Sequence, residues 1–177
     1  MSAPAPSGHL DRYVRDVPDY PKPGVLFKDI SPLLGDPTAF RAAIDAIVGD
    51  QLEGSVDKVV GMEARGFIFA APVAYRLGAG FVPVRKAGKL PAATFEQSYA
   101  LEYGEAVLQV HQDAFSPGDR VLIVDDVLAT GGTAAATVEL VRRAGGVVVG
   151  LSFLIELTFL AGRAALAEES VHALITV

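Results

Sequence analysis

Residues 121–133, Val-Leu-Ile-Val-Asp-Asp-Val-Leu-Ala-Thr-Gly-Gly-Thr, restrict the possible fold more than any other stretch of this chain. Four consecutive apolar residues, 121–124, predict a strand buried on both faces, as in a parallel sheet. Asp125 and Asp126 follow at once. The strand should therefore deliver two adjacent carboxylates to the carboxyl edge of the sheet, where open α/β folds bind ligands. Ala129, Thr130, Gly131, Gly132 and Thr133 then form a short loop opening a predicted helix over residues 134–144. Glycines let the backbone approach a ligand closely, and loop amides together with a helix N-terminus favour an anion. The expected occupant is a phosphate monoester, with the Thr130 and Thr133 hydroxyls as further donors. The two aspartates would then lie where an attached sugar presents vicinal hydroxyls. A turn and a capped helix would explain any one of these features, but not their fixed order. No Lys follows the glycines as in a P-loop, and the Gly-x-Gly-x-x-Gly of a dinucleotide site is absent.

The remaining chain supports an α/β sheet. Asp36-Pro37 reads as an N-cap and first helical residue, and Phe40, Ile44, Ile47 and Val48 recur at helical spacing, predicting a helix over 37–50. Short apolar runs at 56–62, 81–84 and 147–155 predict buried strands, and 65–77 predicts a helix closed by Gly78. Residues 94–111 read as a strand or hairpin with a mobile tip. Strands alternating with helices imply a mainly parallel sheet of five to six strands with helices on both faces. A length of 177 residues suits one domain, with a proline-rich hood over about 1–35 and a core over 36–177.

Composition closes several routes. The chain has no cysteine, which excludes disulfides, thiolate catalysis and cysteine-ligated zinc. A net charge of −6 argues against nucleic acid as a partner. Residues 1–8 lack the basic and apolar regions of a signal peptide, and the apolar run 147–157 is short for a membrane span of about 20 residues. The expectation is a cytoplasmic protein with no membrane partner. Arg85, Lys86 and Lys89 form a basic cluster which, taken alone, reads more readily as a solvated patch than as an anion site. Glu102, taken alone, reads as an exposed hairpin carboxylate. His9, His111 and His172 have no metal or triad spacing, and His111 is expected at the surface.

The stretch 121–133 is similar to the phosphoribosyl pyrophosphate (PRPP) signature of the type I phosphoribosyltransferases. Segments 23–34, 63–67, 84–91, 98–104 and 155–158 resemble, in order, the adenine phosphoribosyltransferases, and the resemblance covers about residues 12–166. It implies the type I fold, a hood, a flexible catalytic loop, and the reaction of adenine with PRPP to give AMP and pyrophosphate in purine salvage. It implies that Asp125 and Asp126 meet the ribose hydroxyls and that residues 129–133 hold the 5′-phosphate. Pyrophosphate would fall to Glu63, Ala64 and Arg65, in a loop with a cis peptide at Glu63–Ala64, and to Arg85, Lys86 and Lys89. Arg85 is a candidate to act across a dimer interface. In the flexible loop, 94–105, Glu102 would exchange a proton with the purine and Tyr103 would seat it. Val25 and Phe27 would hold adenine, with Phe27 stacking on the ring. Lys28 replaces an Arg found in many relatives and cannot form the same planar fork. Mg²⁺ is implied as the companion of polyanionic PRPP, directly or through water on Asp125 and Asp126, and a homodimer is implied as the assembly. The alternatives are a xanthine- or guanine-type phosphoribosyltransferase and a non-catalytic PRPP-sensing regulator. The hood and loop segments favour adenine, and the acidic balance disfavours a nucleic-acid-binding regulator.

Overall fold

Residues 10–49, 54–100 and 105–177 are described by the computed structural model. The chain divides into two units after Gly49, later than the boundary near residue 36 expected from the sequence. In the first unit, β1 (Arg15–Pro18) and β2 (Leu26–Asp29) pair antiparallel. Ion pairs of Lys28 with Asp16 at 2.7 Å and of Arg15 with Asp29 at 3.0 Å link the two strands. A short helix α1 (Ser31–Gly35) follows, then α2 (Pro37–Val48). The Asp36 carboxylate accepts from the amides of Thr38 at 2.9 Å and Ala39 at 2.8 Å, the cap expected there. Ala39, Ala43, Ile44 and Ile47 are the buried residues of α2, an i, i+4 stripe.

The second unit runs β3 (Lys58–Met62), α3 (Gly66–Leu77), β4 (Gly80–Lys86), β5 (Thr94–Ala100), β6 (Glu105–His111), β7 (Arg120–Leu128), α4 (Gly132–Arg143), β8 (Val147–Glu156) and β9 (Val171–Thr176). One sheet of seven strands results, in the order β5-β6-β4-β3-β7-β8-β9. Neighbours from β4 to β9 are parallel, and the β5–β6 hairpin is antiparallel at one edge. The sheet is larger than the five to six strands expected, because the hairpin adds two and the C-terminal segment pairs alongside β8.

Strand alternation places α3 and α4 on opposite faces of the sheet. A Cβ at Gly61 would stand 2.9 Å from both Ala70 of α3 and the Phe81 ring, so that face meets α3 closely. The neighbouring Val60 and Met62 share a core instead with Val138 and Val141 of α4, Ile123 and Phe153. Each such fully buried aliphatic or aromatic side chain contributes roughly 1.5–3 kcal/mol relative to exposure. Arg120 forks onto Asp57, with Nε at 2.9 Å from Oδ2 and Nη2 at 2.9 Å from Oδ1, tying the start of β7 to the residue before β3. That guanidinium holds the Asp57 carboxyl far below the usual carboxylate range.

β7 does not stop at the aspartates. Its ladder with β8 continues through Asp125↔Phe153 and Val127↔Ile155 to Leu128↔Glu156. The carboxylates therefore sit within the last turns of the strand pleat, on alternate faces, and not in the loop beyond it. Gly78 closes α3 in the left-handed region at φ 64°. Among the described residues no helix is long and apolar enough to cross a membrane.

Candidate active site

The loop after β7 enters α4 through Gly131, at φ 85°, with no side chain capping the helix. The first amides of α4 are thus left to an external acceptor. Asp125, Ala129, Thr130, Gly131, Gly132 and Thr133 line a cleft over Met62 and Phe153. Its volume is about 70 Å³, against roughly 30 Å³ for one water in the liquid.

The two aspartates have different surroundings. Asp126 is 4% exposed, and its Oδ2 lies 2.8 Å from Nε of Arg65. Asp125 lines the loop cleft, and its Oδ1 accepts from the amide of Asp126 at 2.8 Å. A Cβ at Gly66 would stand 2.7 Å from Asp125 Oδ1 and 3.0 Å from the Val124 carbonyl. Only glycine therefore lets the start of α3 come this close to the carboxylate. Burial pushes the Asp125 carboxyl well up, and the neighbouring charge of Asp126 adds to the effect. Burial also raises Asp126, against the pull of Arg65.

Between β3 and α3 the Glu63–Ala64 peptide is cis, as the family resemblance implies. The Glu63 side chain is 8% exposed and pairs with Lys89 Nζ. Its Oε2 lies 3.4 Å from Arg85 Nε and accepts from the Lys86 amide at 3.0 Å. Arg85 Nη1 also donates to the Lys89 carbonyl at 3.1 Å. The Lys89 ammonium, followed by burial in opposition and the Lys86 amide, holds the Glu63 carboxyl below its ordinary value. The cluster that reads as a solvated patch in sequence is thus folded around one buried carboxylate. Lys86 joins it through its backbone.

Phe27 lines a recess of about 270 Å³ in the first unit with Val17, Tyr20 and Asp29. Its ring meets Tyr20 edge-on, at 5.1 Å between centroids and 73° between planes. Val25 is not among the lining residues; it sits in the turn before β2, where its carbonyl accepts from the Tyr20 amide at 3.2 Å. Lys28 is held by Asp16. Glu102 and Tyr103 lie outside the described residues. His111, expected at the surface, is half-buried, and its Nε2 has no hydrogen-bond partner among the described residues.

Sequence reasoning missed Gly162. A Cβ there would fall 2.2 Å from the Ala129 carbonyl oxygen, and one at Gly131 would fall 2.4 Å from the Gly162 carbonyl oxygen. The phosphate-type loop therefore lies backbone to backbone against this turn. Its only sequence signal is a glycine shortly after the segment 155–158, which looks like any loop glycine.

With this geometry in place, a phosphoribosyl transferase domain family matches residues 37–172. The chain is similar to the adenine phosphoribosyltransferase of Thermobifida fusca, 67% identical over 168 residues, covering 95% of this chain and 96% of that one. It is also similar to the crystal structure of the Rhodothermus marinus adenine phosphoribosyltransferase, with a TM-score of 0.91 at 55% identity over 97% of this chain and 98% of that one. The Saccharomyces cerevisiae adenine phosphoribosyltransferase was solved in complex with an imino-altritol bisphosphate and adenine. It matches with a TM-score of 0.89 at 40% identity, over 95% of this chain and 97% of that one.

Proposed function

We propose, from the premise that this chain belongs to the phosphoribosyltransferase family and within it to the adenine phosphoribosyltransferases, a division of labour among its residues. The reaction joins adenine to the ribose 5-phosphate of PRPP, giving AMP and pyrophosphate, a step of purine salvage. Relatives this similar are adenine enzymes, so neither the oxopurine nor the regulatory alternative is carried forward. The observation that supports the assignment best is the strand-loop-helix unit of β7 and α4, which sets two carboxylates beside an uncapped helix N-terminus.

In this reading residues 129–133 hold the 5′-phosphate through backbone amides and the Thr130 and Thr133 hydroxyls. Asp125 and Asp126 accept from the ribose hydroxyls. Ribosyl transfer passes through an oxocarbenium-like transition state, and carboxylates facing the sugar favour its developing positive charge. Pyrophosphate leaves C1′ toward Arg65, Arg85, Lys86 and Lys89 and the backbone at Glu63 and Ala64, while N9 of adenine forms the new bond. Arg65 and Lys89 must then exchange their carboxylate partners for phosphate oxygens. Phe27, with its recess, and Val25 serve the purine. Glu102 takes the proton that the purine loses as the glycosidic bond forms, and Tyr103 seats that carboxylate.

Mg²⁺ would be held chiefly by the phosphates of PRPP. No group of three or more acidic or histidine residues among the described residues could hold a metal by itself. Asp125 and Asp126 would steady such an ion, directly or through water. The ion would neutralise charge on the leaving pyrophosphate.

The assembly is read as a homodimer. Ile68 and Tyr75 lie seven residues apart on one face of α3; both are exposed, Tyr75 by 87%, and Phe81 of β4 is exposed as well. The cytoplasm is the expected site, since a polyanionic sugar phosphate does not cross a lipid bilayer unaided.

Glu102→Gln tests the proton-transfer role. The expected result is a kcat lowered by about 10²–10⁴-fold with PRPP affinity retained, as for loss of a general acid or base. Stopped-flow or steady-state turnover with a separate PRPP binding measurement reads both quantities. Unchanged turnover would remove Glu102 from the mechanism.

A further inference from the structure

We infer that Arg163 is a positioning residue for the 5′-phosphate loop, acting through the backbone of Gly162. The inference rests on the assignment of residues 129–133 to the 5′-phosphate. Arg163 does not line the loop cleft. It faces a buried carboxylate: Glu156 is 5% exposed, and Arg163 Nε donates to its Oε1 at 2.8 Å and its Oε2 at 2.9 Å. Arg163 Nη1 also donates to the Val171 carbonyl at 2.8 Å, at the start of β9.

Glu156 stands at the end of β8, in register with Leu128, the last residue of β7 before the loop. The Leu157 amide donates to the Leu128 carbonyl at 2.9 Å. The chain then makes a tight excursion, with Leu160 bonded to Leu157, Ala161 to Thr158 and Ala164 to Ala161. Arg163 returns it to the sheet. The excursion's tip is Ala161-Gly162. Ala161 holds a left-handed conformation at φ 51° that non-glycine residues rarely adopt, so the surroundings impose it. Gly162 lies flush on Ala129 and Gly131, with no room for a Cβ on either glycine.

Both sides of the contact are therefore anchored to the same pair of strand ends. The phosphate loop leaves β7 at Leu128, and the turn that backs it is held to β8 by Glu156–Arg163. Without the guanidinium, Glu156 is left buried and uncompensated, the excursion loses its return anchor, and the backing of Ala129–Gly131 is released. Of the cations of the pyrophosphate cluster, Arg65 follows β3, Arg85 and Lys86 end β4 and Lys89 follows it; Arg65 pairs with Asp126, and Arg85 and Lys89 pair with Glu63.

The test separates the two ends of PRPP. Ribose 5-phosphate and pyrophosphate are titrated separately by calorimetry into the wild-type protein, Arg163→Ala, Arg163→Lys and Glu156→Gln. Ribose 5-phosphate affinity is expected to fall about tenfold or more in Arg163→Ala, the scale of a lost charge-assisted contact. Pyrophosphate affinity should stay within about twofold, as for an independent site. Arg163→Lys keeps the charge but cannot reach Glu156 and Val171 together, so it should fall between wild type and Arg163→Ala. Should Arg163→Ala not fold, the lysine variant and Glu156→Gln must still show the selective loss. Parallel losses of both ligands, or no loss of either, overturn the inference. A wild-type protein that binds pyrophosphate but not ribose 5-phosphate overturns the underlying assignment with it.

Discussion

Gly131→Ala is expected to lower kcat/KM for PRPP by about a hundredfold or more, the cost of displacing a binding group by roughly 1 Å. Two independent effects meet at this residue. Its φ of 85° lies where an L side chain is strained. A Cβ would also stand 2.4 Å from the Gly162 carbonyl oxygen and 2.9 Å from the Ala165 Cβ. The first of these obstacles is backbone, so the loop itself must move. Gly118→Ala is the control: its φ is 86°, yet no atom lies within 4 Å of the added Cβ. It should carry the conformational cost in stability and leave kinetics unchanged. Steady-state kinetics with thermal melts of both variants separates strain from displacement. Wild-type kinetics in Gly131→Ala would show that the loop's placement does not matter.

Asp125→Asn is expected to stabilise the protein at pH 7 while lowering kcat/KM on the order of 10²–10³-fold, the scale of losing one preorganised electrostatic group. Burial and the adjacent Asp126 raise the Asp125 carboxyl well above its ordinary value near 3.8. The folded state therefore binds this proton more tightly than the unfolded state does. Stability must fall as pH rises from the ordinary carboxylate range through the raised native value. At neutral pH an ionised Asp125 is a net cost to folding. Asparagine removes the charge, and its oxygen can still accept from the Asp126 amide, now at 2.8 Å from Oδ1. Urea midpoints should favour the variant at pH 7 and converge with wild type near pH 4. A variant less stable than wild type at pH 7 would contradict the electrostatic account.

Much of the fold was legible because local patterns decide it. The apolar run before Asp125, the Asp36-Pro37 cap and the left-handed Gly78 are each set by neighbours in sequence. The strand β9 was not legible, since Val-His-Ala-Leu-Ile-Thr is short and becomes a strand only beside β8. Nor was the extension of β7 past Asp125. A buried Asp126 runs against the usual exposure of carboxylates, and its cationic partner Arg65 lies far away in the chain. The site shows the same division. The Thr-Gly-Gly-Thr loop declares itself, whereas Glu63 at the centre of the basic cluster requires two segments, distant in sequence, to meet. Val25 and Phe27 were both expected to hold adenine, with Phe27 stacking on the ring; Phe27 lines the recess, whereas Val25 is committed to a turn. Gly162 gave no signal, because its role is a clash that exists only after folding.

A panel of bases separates adenine transfer from every other reading of the site. Purified protein with PRPP and Mg²⁺ is offered adenine, hypoxanthine, guanine or xanthine in turn, and pyrophosphate release is followed. Release with adenine alone is the predicted result. Release with an oxopurine would contradict the base specificity, and no release with any base would contradict the enzymatic reading itself.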